Sequence, residues 1–100
     1  MGLCVISAKD VRTYVSQKDA ILVDLRRGED YCEYHIRGAV SVPAKQLPRF
    51  MKQTDRGRIH IFYCQHGSLS IQEGRNYARR GYQICSLAGG LDAYLAAFHL

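Results

Sequence analysis

Residues 59–70 read IHIFYCQHGSLS, and this stretch decides how the rest of the chain is interpreted. Residues 59–64 form an almost continuous apolar run, which is typical of a central strand in a parallel sheet because both of its faces are buried. Cys64 is then the last residue of the strand, a tight loop follows, and residues 70–80 have the pattern of a helix. Ligands bind beyond the carboxyl ends of the strands in open α/β sheets, so the sequence predicts a site around Cys64.

The predicted strand–loop–helix arrangement favours a negatively charged group at Cys64. Successive backbone N–H groups of a tight loop converge on one point, and a helix N-terminus adds unpaired N–H donors. Gly67 allows the backbone to turn and to approach a ligand without a Cβ atom in the way. Cys64 is therefore a candidate nucleophile. A buried cysteine without a chemical role remains an alternative that the loop by itself leaves open.

A second apolar run, residues 20–25, contains Asp24 and is followed by Arg26. Because the ends of neighbouring parallel strands meet at one edge of a sheet, we expect Asp24 and Arg26 to lie near Cys64 and to brace its loop. Further strands are predicted at 3–6, 38–43 and 83–87, and further helices near 8–15, 30–34, 47–51 and 91–98. This alternation predicts one α/β domain over residues 1–100, with a mainly parallel central sheet of about five strands and helices on both faces.

The charge balance favours anionic partners. Fourteen Lys and Arg residues against nine Asp and Glu residues leave a net charge of +5. Residues 43–58 carry a local basic excess, for which a solvated helix face is one interpretation: Lys45, Arg49, Lys52, Arg56 and Arg58. No aromatic residues alternate with these cations in a stacking platform, so direct binding of nucleic acid is not expected.

The cysteine spacing argues against a structural metal site. Cys4, Cys32, Cys64 and Cys85 include no C-x-x-C pair. We expect free thiols in a reducing, cytoplasmic setting. The apolar runs are too short to span a membrane, so no membrane association is expected.

Three motifs, in order, resemble those of single-domain rhodaneses, a family of sulfurtransferases. The similarity extends from about residue 6 to residue 98. The motifs are DLR (24–26) with HIRGA (35–39) and VP (42–43), then CQHG (64–67), and finally LAGGLDAY (87–94).

The resemblance implies a rhodanese-like domain that transfers sulfane sulfur from thiosulfate or a similar donor through a persulfide on Cys64. The persulfide would rest among the backbone N–H groups of the loop formed by Gln65, His66, Gly67, Ser68, Leu69 and Ser70. The implied partners are a small sulfur oxyanion or persulfide donor and an acceptor such as a protein thiol. No metal or organic cofactor is needed, and we expect a monomer. In the layout of this family the basic stretch 43–58 lies at the rim of the active site, where it would steer anionic donors or bind an acidic partner.

Two positions in the loop bear on the alternatives. Many rhodaneses place Arg or Thr where this chain has Leu69, so efficient use of thiosulfate is in question. Related phosphatases need Arg at the position of Ser70 to bind phosphate, which argues against phosphatase activity. A non-catalytic regulatory or protein-binding rhodanese module is the alternative function. The presence of Cys64 and Gly67 argues against such a module, whereas Leu69 weakly favours it.

Overall fold

The computed structural model describes residues 2–99, within which strands and helices alternate along the chain. The strands are β1 (Cys4–Ile6), β2 (Ile21–Asp24), β3 (Val40–Ser41), β4 (His60–Tyr63) and β5 (Ile84–Leu87). The helices are α1 (Ala8–Gln17), α2 (Gly28–Glu33), α3 (Leu47–Gln53), α4 (Ser68–Arg79) and α5 (Gly90–Phe98), with a 3-10 helix at Ala44–Gln46. Among these described helices, none is long and apolar enough to cross a membrane.

The strands form one parallel sheet in the order β1-β5-β4-β2-β3. This confirms the predicted α/β fold with a parallel sheet of five strands. The chain leaves β2 toward β3 on one side and leaves β4 toward β5 on the other, so the connections after β2 and β4 diverge. A crevice forms at such a switch point, beyond the carboxyl ends of the two strands. The segments that begin at Leu25 and Cys64 border this crevice.

Helices cover both faces of the sheet, as predicted. On one face, Ile61 and Tyr63 of β4 belong to a buried cluster with Val11 of α1 and Leu91 of α5. On the other face, Phe62 belongs to a second cluster with buried residues of α3 and α4. Successive side chains of a strand point to opposite faces. All four residues of β4 are buried, so the nearly continuous apolar run reflects burial on both sides.

Two element boundaries near the site differ from the sequence prediction. The strand ends at Tyr63, and Cys64 is the first residue of the loop, because its carbonyl accepts a hydrogen bond from the N–H of Leu91 (2.9 Å) instead of continuing the ladder. Helix α4 begins at Ser68, two residues earlier than expected. Gly67 has φ +107°, a left-handed conformation that turns the chain directly into the helix. The loop between strand and helix is therefore shorter than predicted.

The other three cysteines lie away from the loop. Cys85 and Cys4 are register partners in β5 and β1, and Cys32 is exposed on α2. Burial, followed by the hydrogen bond with Cys4, raises the pKa of Cys85 to about 12, so this thiol stays protonated near neutral pH. No disulfide bond links any of the four cysteines, all of which lie within residues 2–99.

His60 is a buried titratable residue at the start of β4, at the opposite end of this strand from the loop. It is fully buried at the start of β4, and its Nε2 lies 2.7 Å from the Thr54 hydroxyl. Burial is the main reason that its pKa lies below the ordinary histidine value. The folded protein therefore binds a proton at His60 less readily than the unfolded chain does.

This difference predicts an acid-sensitive fold. As pH falls below about 6.5, the unfolded state gains a proton at His60 that the folded state takes up only at lower pH, so the free energy of unfolding decreases by up to about 1.4 kcal/mol for each pH unit. Urea denaturation across this pH range should show a smaller loss in His60→Gln, which does not titrate. His99→Ala, at an exposed histidine, serves as the control. Equal pH dependence in the wild type and His60→Gln would contradict the prediction.

Candidate active site

A cleft of about 620 Å³ opens at the switch point between the ends of β2 and β4. Cys64 lines this cleft and is itself buried. The other lining residues come from the segments after β2, β3 and β4: Leu25, Arg26, Arg27, Gly28, Asp30, Pro43, Ala44, Lys45, Gln65, His66, Ser68 and Leu69. The cleft therefore gathers most of the site residues that the sequence predicts.

The sulfur of Cys64 is held by backbone donors. Its Sγ accepts hydrogen bonds from the N–H of Gly67 (3.1 Å) and from the N–H of Ser70 in the first turn of α4 (3.4 Å). Both donors belong to the backbone, so they do not depend on side-chain identity. Two N–H groups at a helix N-terminus stabilise negative charge on the sulfur. The same position can stabilise a thiolate or an anionic sulfur species bonded to it.

The N-terminus of α5 sets the orientation of the loop. The N–H groups of Leu91 and Asp92 donate to the carbonyls of Cys64 (2.9 Å) and Gln65 (3.1 Å). In a trans peptide the N–H points opposite to the C=O, so the following N–H groups face away from α5. Gly90 permits this close packing, because a Cβ atom there would lie only 2.5 Å from the Cys64 carbonyl oxygen.

Ser70 and Leu69 have different surroundings. Ser70 is fully buried; its hydroxyl donates to the Gly67 carbonyl (3.1 Å) and lies 2.7 Å from the Ser86 hydroxyl. It fixes the turn that presents Gly67 to the sulfur. Leu69 lines the cleft and packs against the apolar cluster beneath α3 and α4. Its side chain supplies apolar surface and no hydrogen bond to a ligand.

Asp24 is a fully buried carboxylate at the end of β2. It accepts hydrogen bonds from the backbone N–H of Arg26 (2.9 Å), from the Arg26 guanidinium (2.8 Å at the closest) and from the Tyr63 hydroxyl (2.6 Å). Burial, and then the bond to Asp24, raise the pKa of the Tyr63 hydroxyl, which therefore stays protonated and donates. These donors compensate for the loss of hydration around the charge.

Arg26 connects this buried group to the loop. Its guanidinium donates to the Gln65 side-chain oxygen (3.1 Å) and to the Tyr34 carbonyl (2.6 Å) as well as to Asp24. The sequence predicts that Asp24 and Arg26 brace the loop, and the structure brings Arg26 into contact with Gln65. Asp24 is thus linked to Gln65 through the Arg26 guanidinium.

Asp92 is the contact that sequence reasoning missed. Its carboxylate accepts hydrogen bonds from the Gln65 side-chain amide (2.6 Å) and from Nδ1 of His66 (2.5 Å). The bond from Gln65, followed by that from His66, holds the pKa of Asp92 below its usual range. The available signal was an acidic residue two positions after the Gly89-Gly90 turn, in the first turn of a helix.

The basic residues between 43 and 58 do not form a common rim. Only Lys45 lines the cleft. Arg56 lies over the Tyr82 ring, and Arg58 pairs with Asp19, both away from the site. The expectation of a common rim was wrong, because Arg56 and Arg58 contact partners elsewhere in the fold and Arg49 and Lys52 do not line the cleft. Within residues 2–99, no group of three or more His, Cys, Asp or Glu side chains is arranged to hold a metal ion.

Comparison with known proteins points to one family. The family model for the rhodanese-like domain matches residues 7–97. Thiosulfate sulfurtransferase GlpE of Coxiella burnetii (strain RSA 331 / Henzerling II) is 26% identical over 92 residues, which cover 91% of this chain and 86% of that protein. The tRNA sulfurtransferase of Pyrobaculum aerophilum is 28% identical over 78 residues, which cover 78% of this chain but 16% of that protein.

Solved structures show the same fold. A rhodanese-related protein from Thermoplasma volcanium superposes with a TM-score of 0.84 at 20% identity, covering 94% of this chain and 92% of that chain. Reduced CoADR-RHD from Bacillus anthracis superposes with a TM-score of 0.87 at 18% identity, covering 97% of this chain and 17% of that chain.

The buried ion pair predicts a large effect of Arg26→Met. Removing the guanidinium leaves the Asp24 charge buried without its cation, so we expect a loss of about 3–5 kcal/mol in the free energy of unfolding. The double variant with Asp24→Asn should be less destabilised than Arg26→Met alone. Arg58→Met, in an exposed ion pair, is the control and should cost less than about 1 kcal/mol. Equal losses at Arg26 and Arg58 in urea denaturation would refute this interpretation.

Proposed function

The chain belongs to the rhodanese-like domain family, and from this we propose that it is a sulfurtransferase that carries sulfane sulfur as a persulfide on Cys64. The observation that carries the proposal is the buried sulfur that accepts hydrogen bonds from the N–H groups of Gly67 and Ser70. Cys64 is positioned as the nucleophile, and the same donors stabilise negative charge on sulfur before and after transfer.

The first step loads the cysteine. The Cys64 thiolate attacks the outer sulfur of thiosulfate or a similar donor, a new S–S bond forms, and the bond between the two sulfur atoms of thiosulfate breaks with both electrons going to sulfite. One thiolate and one thiosulfate dianion become one persulfide anion and one sulfite dianion, so charge is conserved. The protein's residues supply a preorganised anion site for this exchange.

The second step delivers the sulfur to an acceptor. A thiol or a protein cysteine attacks the outer sulfur of the persulfide, and the Cys64 thiolate leaves into the same backbone donors. The proposed partners are therefore a small sulfur donor and an acceptor thiol, with no direct role for nucleic acid. The chemistry needs Cys64 as a free thiol, which favours a reducing compartment such as the cytoplasm.

A non-catalytic binding module is the competing function, and Leu69 is the observation that favours it. At this position the cleft has no charged or hydroxyl side chain to bind the sulfonate group of thiosulfate. Arg27 and Lys45 nevertheless supply positive charge elsewhere along the cleft. The arrangement of Cys64 in the loop has no evident purpose in a module that does not handle sulfur.

Mass spectrometry after incubation with thiosulfate tests the proposal. We expect one additional sulfur atom on Cys64 in the wild type and none at this position in Cys64→Ser, together with complete loss of sulfur transfer. Cys32→Ser removes an exposed thiol outside the cleft and should load normally. Failure to load Cys64 with thiosulfate, a polysulfide and a low-molecular-weight persulfide would favour the binding module.

Leu69→Arg tests the origin of donor specificity. A guanidinium at this cleft position can donate hydrogen bonds to the sulfonate oxygens, so we expect a lower KM for thiosulfate and about tenfold higher kcat/KM. Leu69→Met changes the shape without adding charge and should leave kcat/KM for thiosulfate close to the wild-type value. If the two variants behave alike in a steady-state assay, charge at position 69 does not limit the use of thiosulfate.

A further inference from the structure

His66 and Asp92 form a carboxylate–imidazole pair at the cleft that the sulfur-loading step does not use. Nδ1 of His66 lies 2.5 Å from Asp92, whose other oxygen accepts the hydrogen bond from Gln65. We propose that His66, held by Asp92, is the acid–base catalyst of the acceptor step, taking the proton of an acceptor thiol and returning it to the transferred sulfur. This inference rests on the proposed sulfurtransferase function.

The hydrogen-bond partner of His66 determines which ring nitrogen is free. The carboxylate of Asp92 can only accept hydrogen bonds, so Nδ1 must carry the proton in the His66–Asp92 contact. In the neutral ring, Nε2 is then an unprotonated acceptor. Gln65 donates to the same carboxylate, which keeps Asp92 charged and oriented. Asp92 is thus a positioning residue that selects the tautomer and the direction of the imidazole ring.

The location of His66 suits the acceptor step. Its side chain is 75% exposed and lines the same cleft as Cys64, whereas the sulfur itself is buried. The imidazole therefore lies on the solvent side of the cleft that an acceptor enters to reach Cys64. An ordinary thiol has a pKa of about 8.5, so near neutral pH it arrives mainly in the protonated form, which is a poor nucleophile.

The proposed step balances without any further reactant. His66 Nε2 takes the proton from the acceptor R–SH, and R–S⁻ attacks the outer sulfur of the Cys64 persulfide anion. The S–S bond to Cys64 breaks, both electrons remain on the Cys64 sulfur, and the protonated His66 gives its proton to the departing outer sulfur. The products are R–S–SH, the Cys64 thiolate and neutral His66. One proton and one negative charge are present on each side.

Several other charged groups line this cleft and contribute to the pH dependence of any reaction in it. Asp92 faces His66 from α5, and the other ionisable residues that line the cleft are Arg26, Arg27, Asp30, Lys45 and Cys64. These groups contribute to any pH profile, so a pH profile alone does not identify the base. A variant that removes the base but keeps the contact with Asp92 separates the two roles of His66. His66→Asn meets this need, since its amide N–H can donate to Asp92 but no ring nitrogen remains to take a proton.

Single-turnover experiments test the proposal. Cys64 is first loaded with thiosulfate, and the loaded protein is then mixed with a small thiol or with sulfite, whose dianion has no proton to lose. We expect His66→Asn and His66→Ala to slow transfer to the thiol at least about tenfold more than transfer to sulfite. Asp92→Asn should show the same selectivity to a smaller degree. His99→Ala should match the wild type with both acceptors.

The pH profile supplies an independent readout. Above the pKa of the acceptor thiol, the thiolate is already formed, so the rates of the wild type and His66→Asn should converge. If His66→Asn transfers sulfur to the thiol as fast as the wild type at neutral pH, or slows both acceptors equally, His66 only holds the loop and the inference fails. A wild-type protein whose Cys64 cannot be loaded by any donor instead refutes the sulfurtransferase function itself.

Discussion

The Asp24 carboxylate is a charge with no access to water, and its neighbours are arranged to compensate for this. It accepts hydrogen bonds from Arg26 and from Tyr63, which themselves become fixed in place. The same Tyr63 hydroxyl accepts the N–H of Ile36, and the same guanidinium reaches the Tyr34 carbonyl and Gln65. Leaving this charge unpaired would be costly. Its hydrogen-bond partners therefore hold the segment after α2 and the loop after β4 close to the end of β2.

From Gln65 the constraint extends to the N-terminus of α5. The Gln65 side chain accepts from Arg26 on one side and donates to Asp92 on the other. The first turn of α5 in turn binds the loop carbonyls, and Gly90 allows the approach. A continuous hydrogen-bond network therefore links the buried charge to the orientation of the peptide groups around Cys64. The sulfur site is preorganised because its loop is held from both ends.

The parts of this arrangement that were predictable from sequence are those that depend on local pattern. The apolar runs at 20–25 and 59–64 indicate central parallel strands, and their ends place Asp24, Arg26 and Cys64 at one edge. Asp92 was not predictable in this way, because its contact with the loop joins residues far apart in the chain. The apparent basic rim at 43–58 failed for a related reason: partners such as Asp19 and Tyr82 lie outside that segment and direct the side chains elsewhere.

The burial of the Cys64 sulfur explains why backbone groups and side chains have different roles at this site. Within residues 2–99 the hydrogen bonds to the sulfur come from peptide N–H groups, so an anionic sulfur is stabilised by donors that do not titrate. In the proposed reaction an acceptor thiol must lose its proton. A peptide N–H group cannot take that proton, because it only donates hydrogen bonds. It requires a basic group at the exposed side of the loop, and His66 has this position with its tautomer set by Asp92. In the proposed reaction the buried end of the network therefore holds the sulfur anion, while its exposed end carries the base for the proton that an acceptor thiol gives up before it attacks.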